Sequence, residues 1–276
     1  MRYKKLAIAV VLVVGLVFAY MISQPFGYEM APIVEERVAV LELRGVISYS
    51  TSPLIFYGES LTPDEVKDML DQVKDDPSAK AVILKINSPG GSAAAPEEIY
   101  QMIKELAEDR VVVAYITEYG ASGGYYISLP AEKVVANPSA LTGSVGAVSV
   151  MLNYAGLFEK IGLKAYTFKS NEFKDVGSPY RNMTEAEKEV LQSIVDSTYQ
   201  QCRSRVLEHR GAVIDESEVF AGKPFTGVQA KRVGLVDEVG TFEDALSIAR
   251  QEAGLPEDAP YYKLSLIHIS EPTRLG

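Results

Sequence analysis

Short apolar runs bounded by turn residues alternate along this chain with longer stretches whose apolar residues recur at three and four positions. Runs of the first kind predict strands, and those of the second predict helices with one buried face. Residues 37–43 and 81–86 read as strands, the second of the fully buried type. Thr62 opens a helix as its N-cap, with Pro63 in the first helical position and Glu65 completing a capping box. Val66, Met69, Leu70 and Val73 then line one face of that helix. A Pro-Gly-Gly turn leads to a second helix over about residues 96–109, followed by a strand at 111–116. Next come a turn around Ser122, a helix of small residues over 123–129 and a short strand at 134–136. Thr184 and Glu187 make another capping box, opening the longest helix, which runs to Arg210. A turn-rich unit at 223–239 and an amphipathic helix at 241–251 close the pattern. Strands and helices in alternation, with glycine-rich turns at strand ends, predict an α/β fold of layered sheet and helices.

The two ends of the chain read differently. Arg2, Lys4 and Lys5 precede an unbroken apolar run over residues 6–22. At about 1.5 Å per residue this run crosses most of a hydrocarbon core. A cleaved signal peptide has a shorter apolar region of about 7–15 residues and ends at a small-x-small site, a pattern that Ala19-Tyr20-Met21 breaks. The expectation is one uncleaved transmembrane helix, with the basic flank in the cytoplasm and everything after Ser23 outside. At the other end, residues 264–274 match the translation of a transposon-type sequencing adapter over eleven consecutive positions. His268 in that tail therefore carries no functional weight. The expected organisation is a basic flank, membrane anchor and linker over 1–36, a folded domain over 37–263, and adapter-derived sequence over 264–276.

Composition narrows the class. With 276 residues, 47% of them hydrophobic and 23% charged, the chain can bury a sizeable core. A formal charge of −10 argues against nucleic acid as a partner, because phosphate backbones are held by clustered Lys and Arg. The single Cys202 excludes an internal disulfide and a cysteine-based zinc site. The glycine-rich motifs lack both the P-loop lysine-serine ending and the dinucleotide spacing, so no nucleotide, nicotinamide or metal cofactor is expected.

Two turns carry candidate chemistry. Ser122 stands in Ala121-Ser122-Gly123-Gly124-Tyr125-Tyr126, a nucleophile-type setting. A serine hydroxyl needs a base to take its proton and amides to receive the oxyanion that forms on the attacked carbonyl. Gly123, at the start of a helix, offers one unobstructed amide. Asn87-Ser88-Pro89-Gly90-Gly91-Ser92 offers another from Gly90 or Gly91, and its free backbone can pair with an extended peptide. With His268 set aside, a Ser-His-Asp triad rests on His209 alone. Lys174, in Phe173-Lys174-Asp175-Val176-Gly177-Ser178-Pro179, is the stronger candidate for the base. Lysine amines titrate near 10.4, so a lysine base at neutral pH needs surroundings that disfavour the ammonium by about 4–5 kcal/mol. An inward-pointing Asp175 would act in the wrong direction, and its side chain is expected to turn away.

Six motifs then occur in an order and spacing that resemble the signal peptide peptidase A family, serine peptidase family S49, of the short single-copy type. They are Asn87-Ser88-Pro89-Gly90-Gly91, residues 121–128, Thr142-Gly143-Ser144-Val145-Gly146, residues 174–179, residues 225–230 and Gly234-Leu235-Val236-Asp237. The match covers about residues 37–250. The resemblance implies a ClpP/crotonase-like layered fold, Ser122 as nucleophile, Lys174 as general base and Ser144 as the hydroxyl that orients the lysine. It implies an oxyanion hole of Gly123 with Gly90 or Gly91. It further implies a membrane-bound homo-octamer in which the lysine reaches the serine of a neighbouring subunit, acting on remnant signal peptides and other apolar peptides. Ala121, Ala131 and the small residues at 92–95 are compatible with a pocket for apolar side chains. Two other readings stay open: a related protease cutting apolar tails of stomatin-like partners, and a non-catalytic scaffold that binds apolar peptides. The acyl-CoA hydratase relatives of the fold are disfavoured, because no paired acidic residues stand near the two turns.

Overall fold

The computed structural model describes residues 35–50, 60–212 and 214–265, with positions 12, 14–17 and 20 of the N-terminal segment. Those six positions are helical, but no described helix is long and apolar enough to cross a membrane. Most of the expected anchor at 6–22 lies outside the described residues, as does most of the 264–276 tail.

The strands and helices, in chain order, are β1 (Arg37–Arg44), β2 (Val46–Ile47), β3 (Ser60–Leu61), α1 (Pro63–Asp75), β4 (Ala79–Ser88) and α2 (Ala94–Leu106). They continue with β5 (Val111–Ala121), α3 (Gly123–Tyr126), β6 (Lys133–Ala136), β7 (Leu141–Gly143), α4 (Ala155–Ile161) and α5 (Glu185–Arg210). The last are α6 (Glu216–Val219), β8 (Pro224–Thr226), α7 (Gly227–Arg232), β9 (Glu238–Val239), α8 (Phe242–Glu252) and β10 (Tyr261–Leu264). Capping decides the helix starts: Thr62 with Glu65, Thr184 with Glu187, and Thr241 with Asp244 each form a reciprocal box.

Parallel strands follow the order β10-β1-β4-β5-β6-β9. Successive side chains in a strand point to opposite faces, and here each face meets its own core. Ala39, Leu41, Val82, Leu84, Val112 and Ala114 pack on α1 and α2, while Val38, Val40, Ala81, Ile83, Val113 and Tyr115 pack on α8. Burial on both faces explains why these strands are nearly continuous apolar runs.

Strand β5 positions the chemistry. Its first part pairs with β6 from Val113 to Ile116, and its last part pairs with β7 from Tyr119 to Ala121. It runs five residues beyond the sequence expectation, because the polar Thr117–Glu118–Tyr119 stretch is held by β7 and by the Asn87 side chain rather than by apolar burial. Helix α3 is shorter than expected and ends at Tyr126, where residues 127–130 turn. β8 lies antiparallel to β7 and closes this corner of the sheet.

Candidate active site

Ser122 sits between β5 and α3 with φ of 52° and ψ of −120°, a conformation rare for a residue with a side chain. Holding a non-glycine residue there costs on the order of 1–3 kcal/mol and requires support from the surroundings. The support is local: the Ser122 N–H donates to Gly143 O at 2.8 Å, and the Ser122 carbonyl accepts from Tyr126 N–H at 2.9 Å. The sharp turn lifts the hydroxyl out of the strand and leaves Gly123 as the first residue of α3. An N–H at that position has no acceptor within its own helix.

The 87–92 turn packs directly against this serine. Gly90 is buried with φ of 99°, and a β-carbon there would lie 2.8 Å from Gly123 N and 2.9 Å from Ser122 Cβ. Its N–H donates to Ser88 Oγ at 3.1 Å. Gly91 differs. It forms a parallel bridge with Ile47, in which Ile47 N–H donates to Gly90 O and Ser92 N–H donates to Ile47 O, each at 2.9 Å. In such a bridge the N–H and C=O of the central residue point away from the partner strand. Gly91 therefore directs both its polar backbone groups away from Ile47, and it lines the cavity that holds Ser122. Of the two expected glycines, Gly90 makes the close approach to Ser122 and Gly91 lines the cavity.

That cavity has a volume of about 570 Å³, in the range of peptide and small-molecule sites. Ser122, Gly123, Gly91 and Ser144 share it. Ser144 also has positive φ, 51°, and its N–H donates to Lys223 O at 3.1 Å. The apolar walls come from Pro96, Tyr126, Ile194, Val195 and Cys202. Of the small residues expected at the pocket, Ser92 and Ala93 line it, whereas Ala131 is buried in the core and Ala121 ends β5. The contribution of α5 had no local signal in the sequence, because Ile194, Val195, Thr198 and Cys202 read as an ordinary helix face.

One wall residue, Tyr126, is tied to a charged pair. The Tyr126 hydroxyl donates to Glu97, and Arg205 Nη2 donates to the same carboxylate at 2.8 Å. Burial opposes ionisation of Glu97, but hydrogen bonds from Arg205, Tyr126, Gln101 and Gln201 outweigh it and hold the carboxyl down at about 2. Burial, with the Glu97 carboxylate second, pushes the Tyr126 phenol up. Burial likewise pushes the Cys202 thiol up to about 11, so it is a neutral wall group at physiological pH.

Among the described residues, no lysine or histidine lines the cavity. His209 lies elsewhere, its Nε2 2.7 Å from the Tyr100 hydroxyl, and burial pushes it below the usual imidazole range. Lys174 is exposed in a turn of its own, where its N–H donates to Asn171 O at 3.2 Å. Asp175 does turn away from it: its carboxylate is bound by Lys169 at 2.7 Å and by Arg181 at 2.7 and 2.8 Å. Within one copy of the chain the structure brings together Ser122, Gly123, Gly91 and Ser144, and leaves Lys174 outside.

The profile of Peptidase family S49 matches residues 104–256, more than half the chain. The chain belongs to peptidase family S49. It is a serine peptidase, and the matched span contains Ser122, Ser144 and Lys174. This S49 peptidase is 40% identical over 213 residues to "Putative protease MJ0651" of Methanocaldococcus jannaschii, covering 74% of the present chain and 68% of the relative. It is 33% identical over 224 residues to "Putative signal peptide peptidase SppA" of Enterococcus faecium, covering 80% and 65% respectively. Among solved structures, a mutant of the 1510-N membrane-bound stomatin-specific protease aligns over 83% of this chain and 98% of that one, with a TM-score of 0.49 and 16% identity.

Proposed function

We propose that this S49 peptidase is a membrane-anchored endopeptidase that cuts apolar peptides, remnant signal peptides among them, with Ser122 as nucleophile and Lys174 of a neighbouring copy as base. The observation that carries this reading is one cavity lined by Ser122, Gly91, Gly123 and Ser144, with no base among the described residues that line it. Ser122 is held in a strained turn in a cavity that Gly91 and Gly123 also line, and among the described residues no lysine or histidine lines it. Lys174 meanwhile stands exposed near an arm whose apolar residues face solvent, Phe168 at 96% and Val148 at 86% exposure. Exposed apolar surface of this kind marks a contact with another molecule, and assembly of the ClpP/crotonase-like domain into a ring, an octamer by resemblance, would bring each Lys174 to the next Ser122.

In the first step the neutral Lys174 Nζ takes the Ser122 hydroxyl proton as Oγ attacks the substrate carbonyl carbon. The negative charge that develops on the carbonyl oxygen is received by the Gly91 and Gly123 N–H groups. The lysine ammonium then gives its proton to the departing amine, leaving an acyl group on Ser122. A water deprotonated by the same amine releases the acid and restores the serine. Ser144, in the cavity beside Ser122, supplies the hydroxyl that orients the incoming lysine. The Gly91 C=O, which points away from Ile47, can accept from an extended peptide, and the apolar walls suit apolar side chains. The likeness to a relative named as a signal peptide peptidase supports remnant signal peptides as the substrate class.

Hydrolysis of a quenched-fluorescent apolar peptide by the wild type and by Lys174→Ala, from about pH 6 to 10, tests the mechanism. Wild-type activity rising with pH and absent from the variant is expected. A Lys174→Ala protein as active as the wild type would remove Lys174 as the base.

A further inference from the structure

We infer that Arg181 is a positioning residue for Lys174, clamping the turn that carries the lysine to the first turn of α5; this rests on the reading of Lys174 as the base. The turn is tied to its surroundings at its far end, through Pro179 and Tyr180, but Lys174 stands five residues before Pro179. Around Lys174 its backbone bonds are local, Lys174 N–H to Asn171 O, Val176 N–H to Phe173 O and Ser178 N–H to Asp175 O, at 3.0 to 3.2 Å, and a longer-range bond, Tyr154 N–H to Pro179 O at 2.6 Å, comes only at its far end. Loops of this kind owe their position to a few side-chain contacts.

Arg181 makes those contacts on both sides. Its Nε donates to Asp175 Oδ2 at 2.8 Å and its Nη2 to Asp175 Oδ1 at 2.7 Å, a bidentate grip on the residue next to Lys174. Its Nη1 donates to Glu187 Oε2 at 2.8 Å, and Nη2 also bonds Glu187. Glu187 is the capping-box residue of α5, accepting from Thr184 N–H at 2.8 Å, and it is 2% exposed. One planar guanidinium thus ties the lysine turn to a helix end that is itself fixed. A lysine could not reproduce this geometry, because its ammonium is a single point charge.

The same cluster governs charge beside the lysine. Lys169 and Arg181 balance Asp175 and Glu187. Hydrogen bonds from Arg181, then from Lys169, hold the Asp175 carboxyl well below the usual carboxylate range, and Arg181, then the Thr184 N–H, holds Glu187 down at about 2. Other charged groups on the elements packed against the turn are Glu172 within it, Glu159 and Lys160 of α4, which meets it through Phe158 and Tyr180, and Glu185 and Lys188 of α5. Loss of Arg181 adds a net negative charge beside Lys174 and frees Asp175 to approach it. Both effects favour the ammonium and oppose its use as a base.

The test is peptide hydrolysis by the purified full chain, comparing wild type, Arg181→Gln, Arg181→Lys, Asp175→Asn and Lys174→Ala, with kcat and KM followed against pH. Arg181→Gln is expected to lower kcat by on the order of 100-fold through misplacement of the base, to leave KM nearly unchanged, and to move the acid limb of the kcat profile to higher pH. Arg181→Lys keeps the charge without the fork, so kcat falls while the limb stays near the wild-type position. Asp175→Asn moves the limb to lower pH, and it decides the question if Arg181→Gln does not fold. Wild-type limbs in both the Asp175 and Arg181 variants, with Lys174→Ala inactive, would overturn the role of Arg181 and leave the Ser-Lys mechanism standing. An active Lys174→Ala would instead overturn the mechanism itself, and this inference with it.

Discussion

The strain at Ser122 and the close approach of Gly90 are two sides of one contact. Ser122 adopts its positive φ because the Gly143 carbonyl and α3 hold its backbone, and Gly90 approaches so near that a β-carbon on it would crowd both Ser122 Cβ and Gly123 N. Gly90→Ala would place a methyl group 2.8 Å from Gly123 N at a φ of 99°. We expect it to cost about 1–3 kcal/mol of stability from the backbone alone, and more activity than stability, since the relaxation must displace the serine or the Gly123 amide. Denaturant unfolding beside peptide hydrolysis checks this, and unchanged activity would contradict the contact. Ser122 and Gly123 were legible in the sequence as residues of a distinctive turn, and Ser144 only through the family resemblance. The different backbone surroundings of Gly90 and Gly91 were not, because they depend on the bridge to Ile47, a partner far away along the chain.

Capping boxes made the helices legible. The expected starts at Thr62, Thr184 and Thr241 are the observed N-caps, since each pairs a hydroxyl and a carboxylate three residues apart, a purely local arrangement. The extension of β5 and the early end of α3 depend on β7 and on the turn after Tyr126, which no local pattern reveals. The same holds for the junction of α2, α3 and α5, where Glu97 accepts from Tyr126 and Arg205. The folded-state carboxyl of Glu97 sits at about 2 against an ordinary 4.5, so its contribution is fully present above about 4.5 and is lost as pH falls through about 2. Thermal unfolding between these pH values is therefore expected to lose less stability in Glu97→Gln than in the wild type. Parallel acid profiles for the two proteins would show that the carboxylate does not hold the junction.

At the scale of the whole molecule, the layering of sheet and helices was legible from their alternation along the chain, whereas the parallel strand order was not, because it depends on pairings between distant segments. The distance between Lys174 and the serine cavity was legible only as separation in sequence, and one copy of the chain does not close it. The intervening arm, with Val148, Tyr166 and Phe168 facing solvent, buries too little apolar surface to be explained by its own fold. A second copy covering that arm would provide both the burial and the missing base. The direct test is to mix Ser122→Ala with Lys174→Ala, each inactive alone, under conditions in which subunits exchange and mixed particles are verified. Recovery of peptide hydrolysis is expected, because a mixed particle contains junctions where an intact Ser122 meets an intact Lys174. Verified mixed particles with no recovered activity would contradict a site shared between copies.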